Sequence, residues 1–250
     1  MANQMLAEVE KALASAPAQV DPTLSTPVEQ ERLALPDVIV TTGACLGVAI
    51  IAAVPGYLYL GTNFALYLAL IVVLMFAGIV VARRSPVKAP LALGYSALLG
   101  LMMGAFTHAA TAQSGNIALI AQAIVGTFAG AIGVLAVYAT PFGRKASKGG
   151  KFFVGIMIGY AVIGLANIVA VMFGVGNGWG FYGVGGLGIA LCAIGVLLAA
   201  WSLLNDVGRA DRAIAGGAPR TWSWSLGMSL TASLVWLYME ILRLLAIANR

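Results

Sequence analysis

The sequence has few charged residues, one histidine and two cysteines, and these scarcities exclude whole classes of protein. Only 9% of its 250 residues are charged, whereas soluble domains carry about 25%. A hydrophobic fraction of 61% excludes disordered chains and collagen, and two cysteines exclude a disulfide scaffold. The mean hydropathy of +0.96 therefore indicates a polytopic membrane protein, with room for about six to eight helical crossings.

Seven apolar segments after Asp37 have the length of membrane-spanning helices. They cover residues 38–60, 64–82, 89–111, 117–139, 152–174, 184–206 and 225–247. A β-barrel would show shorter segments of alternating polarity, and the sequence shows none of these. The sequence therefore predicts an all-α integral membrane protein, a seven-transmembrane-helix bundle over residues 37–250, preceded by a flexible tail over residues 1–36.

Lysine and arginine alternate between the loops, and this alternation predicts the orientation of the chain. The loops after the second, fourth and sixth segments are basic, while those after the first, third and fifth contain no lysine or arginine. By the positive-inside rule, the N-terminal tail is cytoplasmic and the C-terminus lies on the outer side of the cell membrane. The basic loops would meet headgroups of the lipid bilayer, and the sequence predicts no nucleic-acid partner.

Three pairs of glycines have the Gly-x-x-x-Gly spacing that lets helices approach closely in a membrane. These pairs are Gly100/Gly104, Gly126/Gly130 and Gly155/Gly159. Helix packing is the favoured interpretation of all three. The alternative, glycines that break the backbone to line a cavity, applies best to residues 183–188.

The seventh segment contains Glu240, three residues before Arg243. A charged side chain inside a membrane costs roughly 2.5–3.5 kcal/mol and usually faces a bundle interior or a water path. Two interpretations of Glu240 stay open. It is either one half of a local ion pair, which allows both residues to be inserted, or a carboxylate that titrates or coordinates a cation such as calcium.

Asp206 follows a stretch of the chain without acids that begins after Asp37. It is predicted where the sixth segment meets the cytoplasm, either paired with neighbouring arginines or functional. Polar side chains also recur on one face of the seventh segment, from Ser225 to Arg243, and on one face of the third, between residues 96 and 111. Both faces should turn inward, and the seventh helix is the candidate for the centre of the bundle.

Enzyme chemistry has little support in this sequence. His108 is the only histidine, so too few ligands accompany it for a zinc site, and no Gly-x-Ser-x-Gly motif supplies a nucleophile. Cys45 and Cys192 lie in separate segments and are expected to be packed thiols. An intramembrane aspartyl protease would need a Gly-x-Gly-Asp motif, which the sequence lacks. We therefore expect a protein that is not an enzyme and holds no cofactor.

The C-terminal part combines Asp206, the triplet Gly217-Ala218-Pro219 and the run Leu234–Leu245, LVWLYMEILRLL. This combination resembles the Bax inhibitor-1 / YccA-like family, in particular its actinobacterial branch, over residues 37–248 and most specifically over 199–245. The resemblance implies a bundle whose last helix is enclosed by the other six. It also implies a proton-sensitive calcium leak channel, in which two facing carboxylates act as sensor and latch.

Carried over by motif, these two carboxylates are Asp206 and Glu240, which would also be the ligands of a calcium ion in transit. Arg83 or Arg84, near the inner end of the second segment, would contribute to the latch. Two carboxylates that meet in a low-dielectric site resist double ionisation, so they would share one proton and respond to pH as a unit. Straight helices oppose such a pair, because they place Glu240 on the order of 20 Å deeper than Asp206.

This chain carries fewer acids than the family pattern. The acid of the seventh helix is Glu240 rather than the commoner Asp, Gly208 replaces a second acid near the end of the sixth helix, and Leu99 stands where a glutamate is expected in the third. The resemblance also implies an alternative function, a membrane regulator that binds a protease or another membrane protein without conducting ions. Such a regulator would depend on its N-terminal tail.

Overall fold

The computed structural model of the protein describes residues 31–84 and 86–249. Within these residues seven helices are long and apolar enough to cross a membrane, which confirms the predicted all-α, seven-helix architecture. They are α1 (Leu35–Pro55, continued by the π-helical turn Gly56–Leu60), α2 (Phe64–Ala82), α3 (Ala89–Ser114), α4 (Ala118–Ala139), α5 (Gly150–Met172), α6 (Gly185–Ala215) and α7 (Ser223–Ala248).

The sixth helix is longer than its hydropathy predicted. Because no proline or glycine pair interrupts residues 206–215, α6 runs nine residues past Asp206 to Ala215. Gly217 then adopts a φ of +66°, the left-handed conformation that ends many helices. Asp206 therefore lies within α6, and the predicted end of the sixth segment at residue 206 is nine residues too early.

The loop between α4 and α5 contains a short helix that the sequence analysis did not predict, Pro141–Ala146, which we call the loop helix. Thr140 begins it, since its side chain accepts a hydrogen bond from the Gly143 N–H at 3.1 Å, and Pro141 occupies the first turn, where no backbone donor is needed. Ser147, directly after the loop helix, is buried and accepts a hydrogen bond from Arg212 of α6 at 3.3 Å. The loop helix is thereby held against α6.

Glycines bring α3 close to α1. A Cβ added at Gly100 would lie 2.7 Å from the carbonyl carbon of Ala49, and one added at Gly104 would lie 2.7 Å from the backbone nitrogen of Tyr57. Only glycine allows this approach, because a Cβ in either place overlaps the backbone of α1. The packing interpretation of the first Gly-x-x-x-Gly pair is confirmed.

The other two glycine pairs behave differently from each other. Gly126 and Gly130 face α7, where added Cβ atoms would lie 3.1 Å and 3.3 Å from side-chain atoms of Ile241 and Leu237. Gly155 and Gly159 have no described atom within 4 Å of an added Cβ. The packing interpretation is therefore wrong for the third pair, because within the described residues these glycines turn away from the other helices.

The polar faces of α3 and α7 point inward, as their spacing predicted. Ser96 and Thr107 of α3 are buried, as are Ser233 and Glu240 of α7. The hydroxyl oxygens of Thr107 and Tyr238 lie 3.1 Å apart, which joins the two helices directly. Hydrogen bonds between such faces satisfy polar groups that lipid could not.

The last helix packs against α1, α3, α4 and α6. In the most apolar stretch of α7, 44% of the residues are buried, compared with 6% in α5, the most exposed of the seven helices. Val235, Leu237 and Leu242 contribute to the apolar core around α7. That all six other helices enclose α7 stays a prediction.

The loops after α2, α4 and α6 form what we call the basic end of the bundle, and its position on the cytoplasmic side stays a prediction. At this end the segment ahead of α1 is bound to the α6–α7 loop. The Leu33 N–H donates to the Ala218 carbonyl at 2.8 Å, and Arg220 pairs with Asp37 at 2.9 Å. Of the predicted tail over residues 1–36, residues 1–30 lie outside the described part of the chain.

The close approach of α3 to α1 yields a matched pair of substitutions. Gly100→Ala should destabilise the protein by about 1–3 kcal/mol, because the added methyl group forces the two helices apart. Gly94→Ala, in the same helix, should leave stability unchanged or slightly raised, since nothing lies within 4 Å of its added Cβ. Thermal unfolding of the purified protein in detergent measures both, and equal melting temperatures would contradict the packing described here.

Candidate functional site

The two buried carboxylates lie in separate hydrogen-bonded clusters. The first, which we call the Asp206 cluster, joins α6 to α7 toward the basic end. The second, the Glu240 cluster, lies farther along α7 and includes a side chain from α5. Each cluster has its own arginine, Arg209 or Arg243.

The Asp206 cluster is built from one acid, one arginine and three serines. Asp206 is 3% exposed, and its Oδ1 accepts a hydrogen bond from the Ser229 hydroxyl at 2.8 Å and pairs with Arg209. Its Oδ2 accepts from the Ser233 hydroxyl at 2.5 Å, and the hydroxyl oxygens of Ser233 and Ser202 lie 2.8 Å apart. One carboxylate therefore ties two spanning helices together.

Helical spacing brings these residues to one place. Ser229 and Ser233 are one turn apart on α7, and Asp206 and Arg209 are three residues apart on α6, so each pair shares a face. Arg209 also donates to the Ser229 hydroxyl at 2.8 Å. Because the Arg209 side chain is 58% exposed, solvent screens its ion pair with Asp206 and weakens it.

The arginines predicted to form the latch do not contact Asp206. Arg83 and Arg84 follow the end of α2 and are exposed, and their side chains make no hydrogen bond or ion pair within the described residues. The arginine beside Asp206 is Arg209, since its place one helical turn further along α6 brings it to the carboxylate. A contribution of Arg83 or Arg84 to a latch stays a prediction.

The Glu240 cluster satisfies its carboxylate entirely with protein groups. Glu240 is 2% exposed, and Arg243 donates to Oε1 at 2.9 Å and to Oε2 at 2.8 Å. Tyr160 of α5 and the Trp236 indole each donate to Oε1 at 2.9 Å. This geometry agrees with the interpretation of Glu240 as half of a local ion pair.

Aromatic rings enclose the guanidinium of Arg243. Its central carbon lies 4.5 Å from the ring centroid of Tyr182 and 5.1 Å from that of Phe106. Such cation–π contacts stabilise a charge that has little access to water. The Tyr182 hydroxyl in turn donates to the Tyr160 hydroxyl at 3.1 Å, which extends the cluster to the connection between α5 and α6.

Gly195 makes room for the Glu240 cluster. A Cβ added there would lie 2.5 Å from both the Glu240 Oε2 and the Tyr160 hydroxyl. Gly195 does not interrupt α6, which is continuous at this position. Gly195 leaves space for a carboxylate on the neighbouring helix. A single glycine in an apolar run does not predict this role from the sequence.

The packing around Gly208 accounts for the absence of an acid at this position of α6. A Cβ at this position would lie 2.6 Å from the Ser147 Cβ and 3.0 Å from an Arg212 nitrogen. An acidic side chain would therefore displace the segment that follows the loop helix. The glycine that stands here in place of an acid allows that segment to approach α6 closely.

The two carboxylates do not meet. Ser233, which bonds Asp206, and Glu240 are seven residues apart on α7, or about 10 Å along the axis. The clusters share no hydrogen bond among the described residues, as straight helices predicted. In that part of the chain no three His, Cys, Asp or Glu side chains converge as metal ligands, so calcium binding at Asp206 or Glu240 stays a prediction.

The remaining reactive side chains are packed. Cys45 and Cys192 are free, buried thiols, as expected. His108 is partly buried and packs edge-on against the Tyr57 ring, with centroids 5.0 Å apart. Neither thiol belongs to the two clusters, and His108 serves as a packed side chain near the end of α3.

Comparison with known proteins agrees with this architecture. The model of one protein family, described as Bax inhibitor 1 like, matches residues 6–250. No curated protein matches the chain. The family match therefore covers all seven helices and both clusters.

The Glu240 cluster predicts a strong effect of removing one charge. Glu240→Gln should destabilise the protein by about 3–5 kcal/mol, because it leaves the Arg243 guanidinium buried without its counter-charge. The double variant Glu240→Gln with Arg243→Leu should recover most of that loss, since no uncompensated charge remains. Thermal unfolding in detergent measures the cycle, and a Glu240→Gln variant as stable as the parent protein would refute the ion pair's role.

Proposed function

This chain belongs to the Bax inhibitor 1 like family, and from that membership we propose that it is a pH-sensitive cation leak of the cell membrane, with calcium as the candidate ion. The observation that carries the proposal is the Asp206 cluster, in which a buried carboxylate holds two spanning helices together through hydroxyl groups and an exposed arginine. The proposed function is transport rather than catalysis.

Protonation of Asp206 would change every contact of the carboxylate. The ionised group accepts hydrogen bonds from Ser229 and Ser233 and attracts Arg209. A protonated carboxyl group carries no charge and itself becomes a donor, so the pair with Arg209 is lost and one serine must reorient. The contact between α6 and α7 then weakens, and a second packing of the two helices becomes more populated. We propose that this second packing conducts.

Departure of Arg209 would also expose oxygen atoms suited to a cation. The Arg209 guanidinium contacts both Asp206 Oδ1 and the Ser229 hydroxyl. Carboxylate and hydroxyl oxygens are the hard ligands that calcium prefers. Because a protonated Asp206 would be a poor ligand, the arginine and a cation would compete for these atoms only while Asp206 is ionised, and conduction through the second packing would not require a cation to bind there.

Glu240 has a different part in this proposal. The resemblance made it the second member of a titrating pair, but its contacts support a fixed ion pair with Arg243. We propose that the Glu240 cluster anchors α7 to α5 and α6 while the Asp206 cluster responds to protons. The two carboxylates would then have separate roles, one on each helix, rather than face each other as a pair.

A second candidate function is a membrane regulator that binds a protease or another membrane protein. The family match favours it in one respect, since the match begins at residue 6 and includes most of the N-terminal tail. In that case the purified protein conducts no ions, and its effect in cells depends on residues 1–30.

Calcium flux into liposomes that contain the purified full-length chain tests the proposal. Acidification should raise the flux of the parent protein, and Asp206→Asn should raise it at every pH and abolish the response to acid. Losing a charge-assisted hydrogen bond is worth about 1.5–3 kcal/mol, so the open population should rise about tenfold or more.

Asp211→Asn is the matched control for Asp206→Asn. Asp211 lies on the same helix, is exposed and accepts a hydrogen bond from the Tyr138 hydroxyl at 2.7 Å. Its variant should keep the pH response of the parent protein. A normal pH response in Asp206→Asn would remove Asp206 from the mechanism, and a protein that conducts nothing at any pH would favour the regulator instead.

A further inference from the structure

The loop between α4 and α5 carries positive charges that no acid of the described chain neutralises. Its exposed cations, which we call the loop cations, are Arg144, Lys145 and Lys148. None of the three side chains makes a hydrogen bond or ion pair within the described residues. Asp211 of α6 pairs with none of them and accepts a hydrogen bond from Tyr138 instead. The loop cations are therefore available to an anion from outside the chain.

Basic residues near the start of α7 are occupied, in contrast to the loop cations. Arg209 of α6 pairs with Asp206, and Arg220 of the loop ahead of α7 pairs with Asp37 at 2.9 Å. Cations held by an acid of the same chain attract a further anion less strongly. At the basic end, unpaired positive charge is therefore found in the loop after α4 and in the loop after α2, where Arg83 and Arg84 are exposed.

Aromatic rings distinguish the loop after α4 from the loop after α2. Phe142, in the loop helix, is 75% exposed, and Phe152, in the first turn of α5, is 70% exposed. Residues 83–88 contain no aromatic ring. Because α4 has 22 residues, its length of about 33 Å matches the hydrocarbon layer, so the loop helix lies at the boundary with the headgroups. Exposed aromatic rings beside cations at this depth are typical of segments that bind the membrane surface.

Contacts with α6 hold the loop after α4 in a fixed position. The Trp201 indole donates to the Ala146 carbonyl at 3.3 Å, and Arg212 donates to the Ser147 hydroxyl at 3.3 Å and to its carbonyl at 3.4 Å. The Phe153 ring packs against the Trp201 ring, with centroids 5.3 Å apart. A surface that is ordered before binding loses less conformational entropy when a ligand binds.

We propose that the loop cations bind the headgroup of an anionic phospholipid in the leaflet at the basic end. The lipid phosphate accepts hydrogen bonds from the cations, while Phe142 and Phe152 contact the acyl chains. A zwitterionic lipid fits less well, because the loop cations repel the positive choline group of phosphatidylcholine. Such a site is selective, belongs to one of the three basic loops, and does not depend on whether the protein conducts ions.

Native mass spectrometry of the full-length protein in detergent tests this site, because it counts bound lipids during a titration. The parent protein should bind the first phosphatidylglycerol more tightly than the first phosphatidylcholine. The double variant Arg144→Gln with Lys145→Gln should bind phosphatidylglycerol about fivefold more weakly or less, since each cation near an anionic headgroup contributes about that factor. Its affinity for phosphatidylcholine should change little.

Two further variants separate the site from a general attraction to positive charge. Arg83→Gln with Arg84→Gln is the matched control, because it removes two adjacent exposed arginines from a loop without aromatic rings. This control should keep the affinity of the parent protein for phosphatidylglycerol. Phe142→Ala should weaken the binding of phosphatidylglycerol although it leaves the charge unchanged, because it removes a contact with the acyl chains.

Three results would overturn the proposed lipid site. The first is equal affinity of the parent protein for the two lipids, and the second is an equal loss of affinity in both double variants. The third concerns glycerol phosphate, which has the anionic group without acyl chains and should displace the lipid no better than sulfate does. Stronger displacement would identify a free phosphate as the ligand. If the Arg144→Gln, Lys145→Gln protein does not fold, Lys148→Gln alone takes its place, with the same expected loss.

Discussion

A carboxylate inside a bundle of apolar helices must be neutralised and hydrogen-bonded, and the polar residues of α6 and α7 are arranged by this requirement. Glu240 is satisfied by an arginine on its own helix, by an indole and by a tyrosine from α5. Asp206 is satisfied by serines of the neighbouring helix and by an arginine on its own. Without these partners either acid would cost several kcal/mol in the bundle, so the partners determine which helices contact each other.

The same requirement is met with different access to water in the two clusters. The Arg243 side chain is 19% exposed and held between two rings, whereas the Arg209 side chain is 58% exposed. An ion pair enclosed by protein resists exchange, while one at the edge of the bundle competes with solvent and salt. We therefore infer that the Glu240 cluster has a structural function and that the Asp206 cluster is the one suited to switching.

The seven-helix architecture could be predicted from the sequence, but the candidate site could be predicted only in part. Hydropathy located all seven helices because each must cover an apolar layer, yet it ended the sixth too early because its last turns continue in an amphipathic pattern. The Glu240–Arg243 pair was readable from its spacing on a single helix. Tyr160 and Gly195 were not, because their roles depend on which helices become neighbours, and no local pattern reports that.

A short antiparallel pairing joins Arg32, just ahead of the first helix, to Pro219 in the loop before the last helix. The two segments are therefore held together. Leu33 is buried there beside Val38, Ala210 and Leu226, so its loss would open a gap at that junction. A shortened chain designed to test whether the N-terminal tail has a role must therefore retain everything from Arg32 onward. Otherwise the truncation would loosen the helix that carries Asp206 and imitate the loss of a partner.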